Sequence, residues 1–111
     1  MLTYDQLHRF DGQTFYIRAP HNPAIQQWEE SGITVTYPSG QSTFISRRDI
    51  ETVMRRLLQN KYVTRTELLD IPAMNRLKGA QLSALLVQLT HSIRYTLGQR
   101  TLHYQENAKR P

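Results

Sequence analysis

At Ser46 the apolar residues of this chain change their period, and that switch limits the folds open to it. Before Ser46 the apolar pattern is alternating. Thr14-Phe15-Tyr16-Ile17-Arg18, Ile33-Thr34-Val35-Thr36-Tyr37 and Ser42 to Ile45 are rich in β-branched and aromatic residues and read as strands. After it, Ile50, Val53, Met54, Leu57 and Leu58 recur at the i, i+3, i+4, i+7, i+8 spacing of an amphipathic helix. Alternation returns at Ile93. Strands, then helices, then strands within 111 residues predict an α+β protein.

Turn chemistry fills in the first half. Thr3 and Gln6 have capping-box spacing, which predicts a short opening helix over residues 3–9. Asp11-Gly12 and Pro38-Ser39-Gly40-Gln41 read as turns. Pro20, Asn22 and Pro23 break the first strand, and a loop is expected through Trp28, Glu29 and Glu30. Residues 1–46 thus read as a short helix and a small three-strand antiparallel meander. Trp28 either packs back onto that sheet or stands exposed as an anchor for a partner.

The second half, residues 47–111, opens with a helix capped by Ser46, with Asp49 at the capping-box position, and closing near Asn60 or Lys61. Thr64-Arg65-Thr66-Glu67 is a full capping box, and Val63 and Leu68 have the spacing of a hydrophobic staple. Pro72 limits this second helix. A third helix is expected from Lys78–Ala80, with Leu82, Leu85, Leu86 and Leu89 inside. A hairpin follows, turned at Gly98-Gln99 as a type II′ loop would require. Its register pairs Leu97 with Arg100, Tyr95 with Leu102 and Ile93 with Tyr104. Gln105 to Pro111 reads as a polar tail. The two halves are expected to pack as one unit.

Charge divides at the same place. Residues 1–50 hold four basic and five acidic residues, whereas residues 51–111 hold ten basic and four acidic ones. The excess of six positive charges in the second half predicts an anion-facing surface there. The chain has no cysteine, so disulfides and thiolate chemistry are excluded. No apolar run approaches a membrane span, and residues 1–10 carry no signal-peptide pattern, which points to a cytoplasmic protein with no membrane partner. His8, His21, His91 and His103 are scattered and no glycine-rich phosphate loop is present, so no metal, no cofactor and no catalytic residues are expected.

A helix, a short capped helix, a leucine-patterned helix and a glycine-turned hairpin over residues 47–104 resemble a winged helix-turn-helix domain. The resemblance implies that the third helix, Ala80 to Thr90, enters the major groove of double-stranded DNA, with Leu97 to Arg100 as the wing tip. Carried over by position, it implies phosphate contacts from Arg65, Arg76, Lys78, Arg94 and Arg100. Gln81, Ser83 and Gln88 lie off the leucine face, where an amide can pair with adenine.

Two features point instead to a protein partner. The outward centre of the third helix is Ala80, Ala84 and Val87, and it lacks Arg and Lys. On the first long helix, Arg48, Thr52, Arg55 and Gln59 form a carboxylate-free line at i, i+4, i+7 and i+11, which suits either phosphate or an acidic partner. The expected function is a non-catalytic DNA-binding protein, a small regulator or an accessory factor of a phage, plasmid or mobile element. The alternative is an interaction module or inhibitor docking on a larger nucleic-acid-handling complex, such as a phage-encoded anti-defence protein. Trp28, Arg48, Arg55 and Ala84 are its candidate contacts. A homodimer is open under either reading.

Overall fold

The computed structural model describes residues 2–18, 21–90, 92–96 and 100–105. The turn Leu97–Gln99, His91 and the tail beyond Gln105 lie outside the described residues. The chain is α+β, with a four-stranded antiparallel sheet, helices and a second, smaller sheet.

A 3-10 helix, Tyr4–Phe10, opens the chain, and the Gln6 side chain accepts a hydrogen bond from the Thr3 amide at 3.0 Å. The first sheet then runs β1 (Thr14–Arg18), β2 (His21–Glu29), β3 (Gly32–Thr36) and β4 (Ser42–Ser46), in that order. This meander has four strands, not the three that the alternation suggests. The expected loop through Trp28 is β2, the longest strand of the sheet.

The reason lies in which β2 side chains point inward. Ala24 and Gln26 are buried and Trp28 is half-buried, whereas Ile25 is 44% exposed. A buried amide beside an exposed isoleucine inverts the usual polarity and hides the strand. Pro23 does not break β2 either. It pairs with Tyr16 of β1, but the ladder to β3 starts only at Ile25, so one side of β2 is free at Pro23 and no ladder bond is lost there. Gly32 follows the β2–β3 turn at φ 156°, where a Cβ would collide with the Ile45 carbonyl oxygen and the Phe44 ring. Only glycine fits that approach.

The helices begin where the caps predict. α1 spans Arg47–Asn60, with the Ser46 hydroxyl accepting from the Asp49 amide at 3.2 Å and Lys61 in the left-handed region at its end. Ile50, Val53, Met54 and Leu57 form its buried stripe. A three-residue strand, β5 (Tyr62–Thr64), follows directly, too short for its alternation to register. α2 (Arg65–Leu69) carries the full capping box. The Thr64 hydroxyl accepts from the Glu67 amide at 3.2 Å, and the Glu67 carboxylate accepts from the Thr64 amide at 3.3 Å.

α3 spans Arg76–Val87, two residues earlier than expected, because the Asn75 side chain caps it by accepting from the Lys78 amide at 2.8 Å. β6 (Ile93–Thr96) and β7 (Thr101–Tyr104) pair as the register predicts, Ile93 with Tyr104 and Tyr95 with Leu102. β7 also pairs with β5, giving a small sheet of order β5-β7-β6.

α1 and α3 lie between the two sheets. One core runs from Ile33, Val35 and Ile45 through Leu57, Leu82 and Leu86 to Val63 and Leu102. Long-range bonds also tie the two halves together. The Arg9 guanidinium donates to the Leu89 carbonyl at 2.6 Å, and the amides of Gln26 and Gln88 bond reciprocally at 3.3 and 2.9 Å.

Candidate nucleic-acid interface

α2, α3 and the edge of β6 enclose a surface groove of about 510 Å³. Arg65 enters it from the first residue of α2 and Arg76 from the first residue of α3. Arg100 enters from the end of the hairpin, at φ 50°, a conformation uncommon for a side-chain-bearing residue. The backbone holds two of these together, since the Arg65 amide donates to the Arg100 carbonyl at 3.1 Å. Leu69, Leu77, Ala80 and Tyr95 supply the apolar part of the wall. Among the described residues no carboxylate lines the groove. Glu67, beside Leu68, is committed to the Thr64 cap, and Asp70, beside Leu69, is exposed but outside the lining.

Among the described residues, neither Arg65 nor Arg76 nor Arg100 makes an ion pair; the two that occur join Arg47 to Glu30 and Glu51. Three guanidinium groups converging on one concavity concentrate positive charge there.

The other residues expected at this surface are placed differently. Gln81 is fully buried, its amide donating to the Tyr37 hydroxyl at 2.9 Å and the Thr43 hydroxyl at 3.0 Å. Ser83 is buried and its hydroxyl donates to the Gly79 carbonyl at 2.9 Å, while Gln88 is held by Gln26. The fold does not support base reading by these residues: Gln81 and Ser83 are buried, and the half-buried Gln88 has its amide engaged with Gln26. The physical reason is that α3 packs against β1 and β4 on one side and against α2 and β6 on the other. Its buried arc consequently extends well beyond the leucines. Ala84 is half-buried against the core, which leaves Leu77, Ala80 and Val87 as its exposed small or apolar positions. Lys78 is half-buried and does not line the groove.

Arg94 lies on the opposite face of the small sheet from the core, in the row Tyr62–His103–Arg94. Arg48 and Arg55 are exposed on α1, with Thr52 bonded back to the Arg48 carbonyl. Trp28 is no exposed anchor. Its indole stacks on His8 at 4.3 Å between centroids, lies 5.2 Å from the Tyr4 ring and donates to the Tyr4 carbonyl at 3.3 Å. The aromatic packing of the first half is completed at Tyr4, whose hydroxyl donates to the Glu29 carbonyl at 2.6 Å. Burial pushes that phenol up to about 12.

Sequence reasoning missed Leu69 and Leu77 as wall residues. Both are leucines, which sequence reading assigns to the core, yet Leu69 is 38% and Leu77 48% exposed. Among the described residues no group of three or more metal-ligating side chains occurs, and no helix is long and apolar enough to cross a membrane.

The chain matches no protein-family model, no curated protein and no solved structure. What the groove can bind rests on its own chemistry.

Proposed function

We propose that this is a non-catalytic DNA-binding protein whose second half acts as a winged helix, gripping the duplex backbone without reading bases through Gln81, Ser83 or Gln88. The observation that carries the reading is the convergence of Arg65, Arg76 and Arg100 on one groove that, among the described residues, no carboxylate lines. The element order supports it: α1, β5, α2, α3, then the β6–β7 hairpin, with β7 between β5 and β6. That order sets a hairpin beside a helix pair, the arrangement in which helix and wing touch one duplex. α3 brings only Arg76 and a small apolar strip to the surface, which suits backbone contact and shape more than sequence discrimination.

A salt-titrated affinity measurement on random duplex DNA tests this. Each phosphate contact contributes about 0.9 to the log–log salt slope, so replacing Arg65, Arg76 and Arg100 by Gln together flattens it by about 2.7. Replacing Arg48 and Arg55 leaves the slope in place. Equal losses from the two sets overturn the groove as the site.

A second reading is favoured by Leu69 and Leu77, each more than a third exposed in the same groove, with Val87 exposed at the far end of α3. They would seat an acidic amphipathic helix of a partner protein. Under that reading Leu77→Asp abolishes partner capture and leaves duplex binding only slightly weakened.

A further inference from the structure

The outer face of the small sheet carries a second basic surface, unconnected with the base-reading residues that the fold buries. Register places Tyr62 of β5, His103 of β7 and Arg94 of β6 side by side in one row. Neighbouring strands are about 4.8 Å apart, so the row spans roughly 10 Å. Tyr62 is 49% exposed, Arg94 is exposed and His103 is half-buried between them. Lys61 joins from the end of α1, its ammonium 5.5 Å from the centroid of the Tyr104 ring. These residues line a shallow concavity of about 690 Å³ together with Ser92 and Thr96, and among the described residues no carboxylate lines it. Tyr62, Arg94 and His103 make no side-chain hydrogen bond or ion pair among the described residues.

We propose that this face binds a single-stranded nucleic-acid segment. Tyr62 offers an open ring on which an unpaired base stacks, worth about 1–3 kcal/mol per base. Arg94 and Lys61 flank it as phosphate contacts, and the His103 ring lies between base and backbone. Arg94 and Lys61, two cations on one concavity, favour a polyanion. An exposed ring in the same row selects one with unstacked π-faces, which duplex DNA does not present. Tyr95 on the edge strand β6 lines both this face and the arginine groove, so the two surfaces adjoin across one strand. A nucleic acid with a duplex in the groove and a single strand over β6 meets both.

The test uses the full chain, a labelled oligothymidylate and a blunt duplex, followed by fluorescence anisotropy at low salt. Tyr62→Ala is expected to weaken oligothymidylate binding by about fivefold or more, the lower bound for one lost stack. Tyr62→Phe, which keeps the ring, restores it, and both variants bind the duplex as the parent does. Arg94→Gln flattens the single-strand salt slope by about 0.7, the value for one phosphate contact on a single strand. An oligothymidylate that does not bind, or that binds Tyr62→Ala and the parent equally, overturns the proposal. So does displacement by poly-glutamate as effective as by unlabelled oligothymidylate, which would mark an acidic-protein surface. Loss of duplex binding alone, in the Arg65, Arg76 and Arg100 variant, leaves this face standing, so the two surfaces fail separately.

Discussion

α1 and α3 are of similar length and both belong to the one core, yet they bury different shares of their circumference. At 3.6 residues per turn, Ile50, Val53, Met54 and Leu57 cover an arc of about 100° of α1. On α3 the arc from Gln81 through Leu85, Leu82 and Leu86 to Gly79 and Ser83 covers about 200°. A narrow arc leaves a polar side that periodicity can recognise. A wide one must take in residues that are not apolar, and α3 takes in an amide and a hydroxyl. The lesson concerns polar side chains: on α1 they mark the surface, and on α3 they mark hydrogen bonds.

Four measurements bear on that contrast, in decreasing order of expected effect. Leu57→Ala on α1 and Leu86→Ala on α3, both fully buried, should each destabilise by about 2–5 kcal/mol in denaturant unfolding. A loss confined to one helix would mean that the core is not shared. Gln88→Ala strands the buried Gln26 amide and should lower stability by about 1–3 kcal/mol. Gln59→Ala, on the exposed line of α1, should stay within about 0.5 kcal/mol. Equal small effects would erase the difference between the helices, and a double-mutant cycle with Gln26→Ala measures the pair directly. Thr64→Ala removes the α2 cap and should cost about 1 kcal/mol.

The last effect is nil at neutral pH and concerns the N-terminal end of α1, where the Arg47 guanidinium sits 4.8 Å from the centroid of the Tyr4 ring. Tyr4 keeps its proton to about 12 in the fold, against 10.0 in a free side chain. The unfolded chain therefore loses the proton first, and stability should fall as pH rises from about 10 to about 12. The alkaline limb of a stability-against-pH curve checks this, and Tyr4→Phe should flatten it.

Much of the fold was legible. Ser46 and Thr64 announce their helices because a cap is a local interaction between neighbours in sequence. The hairpin register follows from alternation, and the 46/47 switch in period marks the passage from the first sheet to α1. What stayed hidden shares one cause. Gln26, Gln81 and Gln88 look like surface residues until their partners are known, and those partners are at least 38 positions away. Gln26 concealed β2, and Gln81 and Gln88 lent α3 a base-reading face that it lacks. The candidate site was half visible. Arg65, Arg76 and Arg100 could be named from position, but their convergence depends on the Arg65–Arg100 backbone bond. Arg94 could be named too, although its face of the sheet sets it beside Tyr62 and not beside the groove.

The pairing of β5 with β7 has a consequence for synthesis on the ribosome. Every ladder of the first sheet joins strands adjacent in sequence, so that sheet can assemble as soon as Ser46 has emerged. Its inward side, with Ile33, Val35 and Ile45, is covered in part by α1 and completed only by α3, and β5 must wait longer still for the last strand. A chain still being translated thus carries a partly uncovered apolar layer until α3 is made. The final hairpin is the latch of the molecule: until Leu102 and Tyr104 arrive, neither β5 nor the underside of the helices has its cover.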